Sequence, residues 1–83
     1  MAEFIIFTAD MNKEKFIIAL GLQVKKIRTQ KKMSLYRLAK NTGKAPSSVQ
    51  RLEQGKITPS LYYLYEISKG LGVALEELIK GLP

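Results

Sequence analysis

The chain has 83 residues, of which 46% are hydrophobic, and it carries a formal net charge of +7. This length supports one small domain with a single hydrophobic core and excludes a second core. The chain contains neither cysteine nor histidine, which excludes disulfides, thiolate or imidazole metal sites and histidine-based catalysis, and we expect no metal, no cofactor and no enzyme activity.

The first eleven residues form the least regular part of the sequence, and we assign residues 1–11 to an N-terminal arm. Phe4 to Phe7 have a strand-like composition, but no partner strand follows and an isolated strand is not stable. Pairing with a second copy, packing on the helices and disorder all remain alternatives. The run is too short for a signal sequence or a membrane span, so we expect a cytoplasmic protein without membrane association.

A helical pattern begins after Asn12, a residue type that caps helix N-termini well. Gly21 weakens this first helix without breaking it. Apolar residues recur at spacings of four, four and three, which predicts one buried face: Phe16, Leu20, Val24 and Ile27.

The segment from Ser34 to Gly55 predicts two short helices joined by a tight turn. Ser34 is a good N-cap for the first helix. Gly43 tolerates positive φ at its end, and Pro46 begins the second helix with its φ already helical. The first helix has an apolar stripe of Leu35, Leu38 and Ala39, and Val49 and Leu52 turn the second helix inward.

A fourth helix follows Ser60, and Gly70 and Gly72 predict its end. Its apolar line consists of Leu61, Leu64, Ile67 and Leu71. Three tyrosines spread around this helix, and we expect them to pack on the protein rather than to stack on bases: Tyr62, Tyr63 and Tyr65.

A short fifth helix carries Leu75, Leu78 and Ile79. These residues present more apolar surface than so short an element can bury within one subunit. We therefore expect them to form the interface of a homodimer, with Phe4 to Phe7 as a candidate addition.

The positive charge is concentrated between Gln23 and Lys56. This stretch has ten lysines and arginines against one acid, Glu53, whereas the rest of the chain has four cations and six acids. Such a zone over the two-helix segment is what phosphate neutralisation and counterion release require. The alternative is a solvated surface that only promotes solubility.

The motif contains Leu38 and Ala39, then Gly43 four residues after Ala39, and then Val49 and Leu52, which lie six and nine residues after the glycine. From Leu52 the chain continues as Leu52-Glu53-Gln54-Gly55-Lys56, and Pro59-Ser60 follow. This order resembles the helix-turn-helix of the lambda repressor/Cro-like (XRE) family, and the likeness runs roughly from Leu20 to Leu82. It implies an all-α fold: a compact five-helix lambda-repressor-like DNA-binding domain over residues 12–83, with its motif at about 34–55.

The resemblance also implies roles for individual residues. The base-reading positions fall on Pro46, Ser47 and Arg51, with Gln50 at the margin, and Arg28 forms a structural ion pair with Glu53. Phosphate contacts fall on Arg37, Lys44, Ser48, Gln54 and Lys56.

Two positions depart from the family pattern. Leu35 stands where several relatives have a glutamine that braces the DNA backbone. Pro46 replaces a base-reading amide and donates no hydrogen bond, so it offers only an apolar contact, for instance to a thymine methyl group.

These features predict a sequence-specific regulator of transcription that binds double-stranded DNA, a repressor that occupies an inverted-repeat operator as a dimer through the major groove. The alternative is a protein-interaction module, such as an antitoxin of a toxin-antitoxin system or a component of restriction-modification control. Its protein partner is unknown, and the candidate binding segment is Met1 to Asp10.

Overall fold

The computed structural model describes residues 12–83, and the N-terminal arm with its Phe4 to Phe7 run lies outside the described residues. No strand occurs in the described part, which confirms the predicted all-α class. None of its helices is long and apolar enough to cross a membrane. The five helices are α1 (Lys13–Gln30), α2 (Leu35–Thr42), α3 (Pro46–Glu53), α4 (Leu61–Leu71) and α5 (Leu75–Ile79).

Polar side chains cap three of these helices at their N-termini. Asn12, Ser34 and Ser60 each accept a hydrogen bond at 3.0 Å from the backbone amide three residues further on. Such caps satisfy amides that have no carbonyl partner within the helix. α1, α2 and α4 therefore begin where the sequence predicted.

One face of every helix contributes to a single core. On α1 this face differs from the prediction, because Ile17 is buried whereas Phe16 is 38% exposed. Ile17 lies three residues before Leu20 and seven before Val24, so it continues their helical stripe better than Phe16 does. The core cluster contains Leu20, Val24, Leu38, Ala39, Val49, Leu52, Leu64, Ile67, Leu71 and Leu78.

Two buried glycines let helices approach closely. A Cβ atom on Gly21 would stand 2.5 Å from the Leu52 carbonyl oxygen, so α1 passes the end of α3 at a distance that no larger residue allows. A Cβ atom on Gly70 would collide with the Thr42 methyl group. Gly70 lies inside α4 rather than at its end, and Gly72, with a φ of 75°, is the residue that terminates the helix.

The burial of α5 corrects the predicted dimer interface. Leu78 is fully buried in the core of the single chain, Leu75 is partly buried against that core, and Ile79 is 45% exposed. α5 is held against α1, where the Gln23 side-chain amide donates to the Glu77 carbonyl at 3.1 Å. The fold thus buries more of this short helix than the sequence indicated, and Leu78 is unavailable to a second copy.

Candidate nucleic-acid interface

A tight turn sets the position of α3 relative to α2. Gly43 ends α2 in the left-handed region, with φ 67° and ψ 21°. The amide of Lys44 donates to the Ala39 carbonyl at 3.0 Å, which closes the end of α2. α3 then starts at Pro46 after Ala45, which provides no side-chain cap.

α3 presents a polar side to solvent. Val49 and Leu52 face the core and are completely buried. The residues predicted to read bases are all accessible, because Ser47, Gln50 and Arg51 are exposed and Pro46 is partly exposed. The end of the helix continues this side with exposed Gln54, and Ser48 is partly exposed.

The acid of α3, Glu53, is buried in an ion pair with Arg28. Arg28 donates to Glu53 through Nε at 2.6 Å and through Nη2 at 3.0 Å, and its Nη1 donates to the Met33 carbonyl at 2.8 Å. The two side chains are only 11% and 5% exposed. The hydrogen bonds to Glu53 raise the pKa of Arg28 above its already high value. The predicted ion pair is present, and it neutralises the negative charge of α3.

The remaining cations of the basic zone lie at the surface. Apart from Lys44, none of them forms an ion pair with an acid of residues 12–83. A surface with this many unpaired cations attracts polyanions. The exposed cations are Lys25, Lys26, Lys31, Lys32, Arg37, Lys40, Arg51 and Lys56.

Lys44, which the sequence predicted to contact phosphate, differs from these cations because an ion pair holds it against the protein. Its Nζ atom lies 2.8 Å from Glu66 Oε1 and 4.1 Å from the centroid of the Tyr63 ring. The Lys44 side chain is only 15% exposed. Because Glu66 follows 22 residues later, on another helix, no local sequence pattern indicated this pairing.

A cleft of about 160 Å³ opens beside the exposed side of α3. Lys25 of α1 lines it together with Gln50 and Gln54, Leu35 forms its apolar wall, and the paired Arg28 and Glu53 complete the lining. Lys25 was not among the residues that the sequence predicted to contact DNA. Its position three residues before Arg28, on the same helical face, is the signal that could have linked it to α3.

The side chains gathered here are a guanidinium, amides, hydroxyls and ammonium groups, which bind phosphates and base edges. Within residues 12–83, no group of three His, Cys, Asp or Glu side chains could hold a metal ion. The site is therefore suited to polar recognition.

Comparison with known proteins links this arrangement to a family. The helix-turn-helix family model HTH_3 matches residues 24–78. A search among curated proteins finds no significant match.

Solved structures share the fold. The restriction-modification controller protein C.AhdI from Aeromonas hydrophila is 27% identical, with a TM-score of 0.73, over 75% of this chain and 94% of that one. ClgR, the clp gene regulator from C. glutamicum, is 25% identical, with a TM-score of 0.73, over 76% and 82% of the two chains. A transcriptional regulator from Vibrio cholerae is 24% identical, with a TM-score of 0.77, over 81% of this chain and 38% of that one, a likeness of fold alone.

Proposed function

Because the chain belongs to the HTH_3 family of XRE/lambda-repressor-like helix-turn-helix proteins, a family of transcription regulators rather than enzymes, we propose that it regulates transcription by binding double-stranded DNA. The observation that carries this proposal is the solvent side of α3. Arg51, Gln50 and Ser47 are exposed there, while the acid of the helix is buried against Arg28. A helix with this surface fits the major groove, where base edges differ.

Within this proposal, residues 12–83 form the DNA-binding domain and α3 reads the bases. Arg51 is the long donor-rich side chain of the exposed side and is suited to a bidentate contact with guanine O6 and N7. Ser47 and Gln50 supply further hydrogen-bonding groups, and Pro46 supplies an apolar contact. Such a regulator acts in the compartment that holds the DNA, so the predicted cytoplasmic location remains part of the proposal.

The proposed phosphate contacts surround α3. Lys25 joins them because it lines the cleft shared with Gln50 and Gln54, whereas Lys44 leaves them because it is paired with Glu66. Phosphate contacts fix the register of the protein on the duplex but do not specify the sequence. The set becomes Lys25, Arg37, Ser48, Gln54 and Lys56.

We propose that two copies bind together and repress transcription from an inverted repeat. Ile79 is exposed and Leu75 is partly exposed at the end of the chain, where they offer an apolar contact for a second copy. In a symmetric dimer the two α3 helices then meet half-sites about 34 Å apart, one turn of DNA. The likeness to C.AhdI supports a narrower role, in the control of a restriction-modification system.

Selection from a random pool of duplexes tests the proposal. We expect an enriched inverted repeat whose half-sites are one turn apart, and we expect the Arg51→Ala variant to lose the enrichment at one base pair of each half-site. Lys80→Ala, which removes an exposed cation outside the basic zone, serves as the control and should select the wild-type sequence. Absence of any enriched sequence, together with capture of a stoichiometric protein partner, would instead support the protein-interaction module.

A further inference from the structure

The ion pair between Lys44 and Glu66 lies at the edge of the proposed DNA-binding surface. Lys44 is two residues before Pro46, the first residue of the proposed reading helix. A cation in this position would be expected to meet the DNA backbone, as the sequence predicted. In the structure its charge is instead directed toward α4.

Two contacts and partial burial hold Lys44 there. The ammonium donates to Glu66 at 2.8 Å, it lies over the ring of Tyr63, and the side chain is withdrawn from most of the solvent. The electrons of an aromatic face attract a cation that lies over it, and the attraction strengthens as water is removed. Because the pair is partly buried, salt screens it less than it would screen an exposed pair.

We propose that Glu66 withholds Lys44 from the DNA backbone and so lowers the affinity of the protein for every duplex, an inference that rests on the proposed function. A phosphate that took Lys44 would have to replace both the carboxylate and the ring. In the native protein Lys44 therefore releases no counterion when DNA binds. Because phosphate contacts act on all sequences alike, Glu66 sets the strength of binding without changing the ratio between operator and unrelated DNA.

Salt titration of three variants tests this role on both the selected operator and an unrelated duplex. Glu66→Gln frees the lysine and keeps the shape of the side chain. We expect its plot of log Kobs against log salt to be steeper than that of the wild type by about 0.9, with binding about 5–10-fold tighter at 0.1 M salt. In the double variant Lys44→Met/Glu66→Gln both members of the pair are neutral, and the methionine keeps an unbranched side chain that can pack on Tyr63. We expect this variant to have the wild-type slope. Glu76→Gln removes an exposed acid of α5, controls for the change in net charge, and should keep the wild-type slope.

Two results would overturn the inference. A slope for the double variant that is shallower than the wild-type slope by about one unit would show that Lys44 already binds a phosphate beside Glu66. A wild-type slope for Glu66→Gln would show that the freed lysine finds no phosphate.

Folding and the proposed function are controlled separately. Thermal unfolding identifies any variant that is not folded. If Glu66→Gln fails to fold, the salt slope of the Lys44→Met variant tests the inference instead. An unchanged slope supports the inference, and a slope that is shallower by one unit refutes it. If the wild type retards no duplex at all, the proposed function fails and this inference fails with it. If the wild type binds and only the slopes disagree, the proposed function stands without this inference.

Discussion

Gly21 of α1 lies directly against the backbone of Leu52 at the end of α3. A Cβ atom on residue 21 would stand 2.5 Å from the carbonyl oxygen of Leu52 and 2.6 Å from the carbonyl oxygen of Glu53. Both obstacles are backbone atoms at the end of α3, which cannot rotate away as a side chain can. Gly21 therefore fixes how α3 lies on the longest helix of the fold and, with it, the direction in which the proposed reading side faces.

We predict that Gly21→Ala destabilises the protein by about 1–3 kcal/mol, the range for overpacking a core. This loss should appear although alanine favours a helix over glycine by about 1 kcal/mol. Chemical denaturation followed by circular dichroism measures it. Gly70→Ala is the control, because the added atom meets side-chain atoms of Thr42 and Leu38, which can move. An equal or larger loss at Gly70 would show that backbone contact is not the cause.

The Arg28 and Glu53 ion pair provides a second prediction. Glu53→Ala leaves the partly buried guanidinium of Arg28 without its carboxylate, which costs about 3–5 kcal/mol. Lys31→Ala removes an exposed cation and should change stability by less than about 0.5 kcal/mol. Thermal denaturation compares the two variants. Equal melting temperatures would show that the pair contributes nothing to the fold.

A large part of the fold follows from the sequence because its signals are local. Ser34, Gly43 and Pro46 determine the turn of the motif through cap and dihedral preferences that act within a few residues. The spacing of apolar residues identifies the core faces of α2 and α3. The Arg28 and Glu53 pair was also predicted, from a family resemblance and from the isolation of one acid in a basic zone.

The errors concern contacts between residues far apart in the chain. Leu78 was assigned to a dimer because the sequence does not reveal that α5 folds back on α1 and α4. The pairing of Lys44 with Glu66 was missed because the carboxylate partner lies on α4. α1 continues through Gly21, as the sequence predicted, but the close approach to α3 that this glycine allows cannot be deduced from helix propensity. Phe16 and Ile17 are adjacent apolar residues, and the prediction chose Phe16 although Ile17 continues the stripe of Leu20 and Val24 better.

The hydroxyl of Tyr63 gives a prediction about stability and pH. It is buried and has no hydrogen-bond partner within the described part of the chain, which costs about 1–3 kcal/mol. Tyr63→Phe should therefore stabilise the protein by about 1 kcal/mol at pH 7. Tyr62→Phe changes a ring that is 67% exposed, and it should have no effect.

The advantage of Tyr63→Phe should grow above pH 10. Burial raises the pKa of the Tyr63 hydroxyl above its ordinary value of 10.0; Lys44 lowers it and Glu66 raises it further. The folded state then holds the phenolic proton more tightly than the unfolded state does, so the wild type loses stability as pH rises through this range. The Tyr63→Phe variant has no phenolic proton at this position and does not lose stability in this way. Denaturation at pH 7 and pH 10.5 measures both differences. A constant difference would show that Tyr63 titrates normally.

Self-association tests the revised dimer contact. Ile79→Glu places a charge on the exposed end of α5, and we expect it to weaken the dimer at least tenfold, which corresponds to about 1.4 kcal/mol. Leu61→Glu alters an apolar side chain that is 70% exposed on α4 and should leave the dimer intact. Sedimentation at micromolar concentration compares them. Loss of the dimer in Leu61→Glu alone would move the interface to α4.

The last prediction distinguishes a side chain that contacts a base from one that contacts a phosphate. Arg51 lies on the exposed side of α3, one residue before buried Leu52, whereas Lys56 follows the helix after Gly55. Arg51→Ala should lose about 1–3 kcal/mol of discrimination at one base pair, because a guanidinium bound to guanine O6 and N7 recognises that base alone. Lys56→Ala should weaken binding to all sequences and lower the salt slope by about one unit, as a phosphate contact does.

Titration of both variants against the selected operator and its single-base changes, at two salt concentrations, distinguishes the roles. The two side chains carry the same charge, so a purely electrostatic contribution would make their losses alike on every duplex. Only a base contact makes the loss for Arg51→Ala depend on which base pair is changed. A loss that is uniform across all sites would place Arg51 among the phosphate contacts and leave Ser47 and Gln50 as the hydrogen-bonding readers of the sequence.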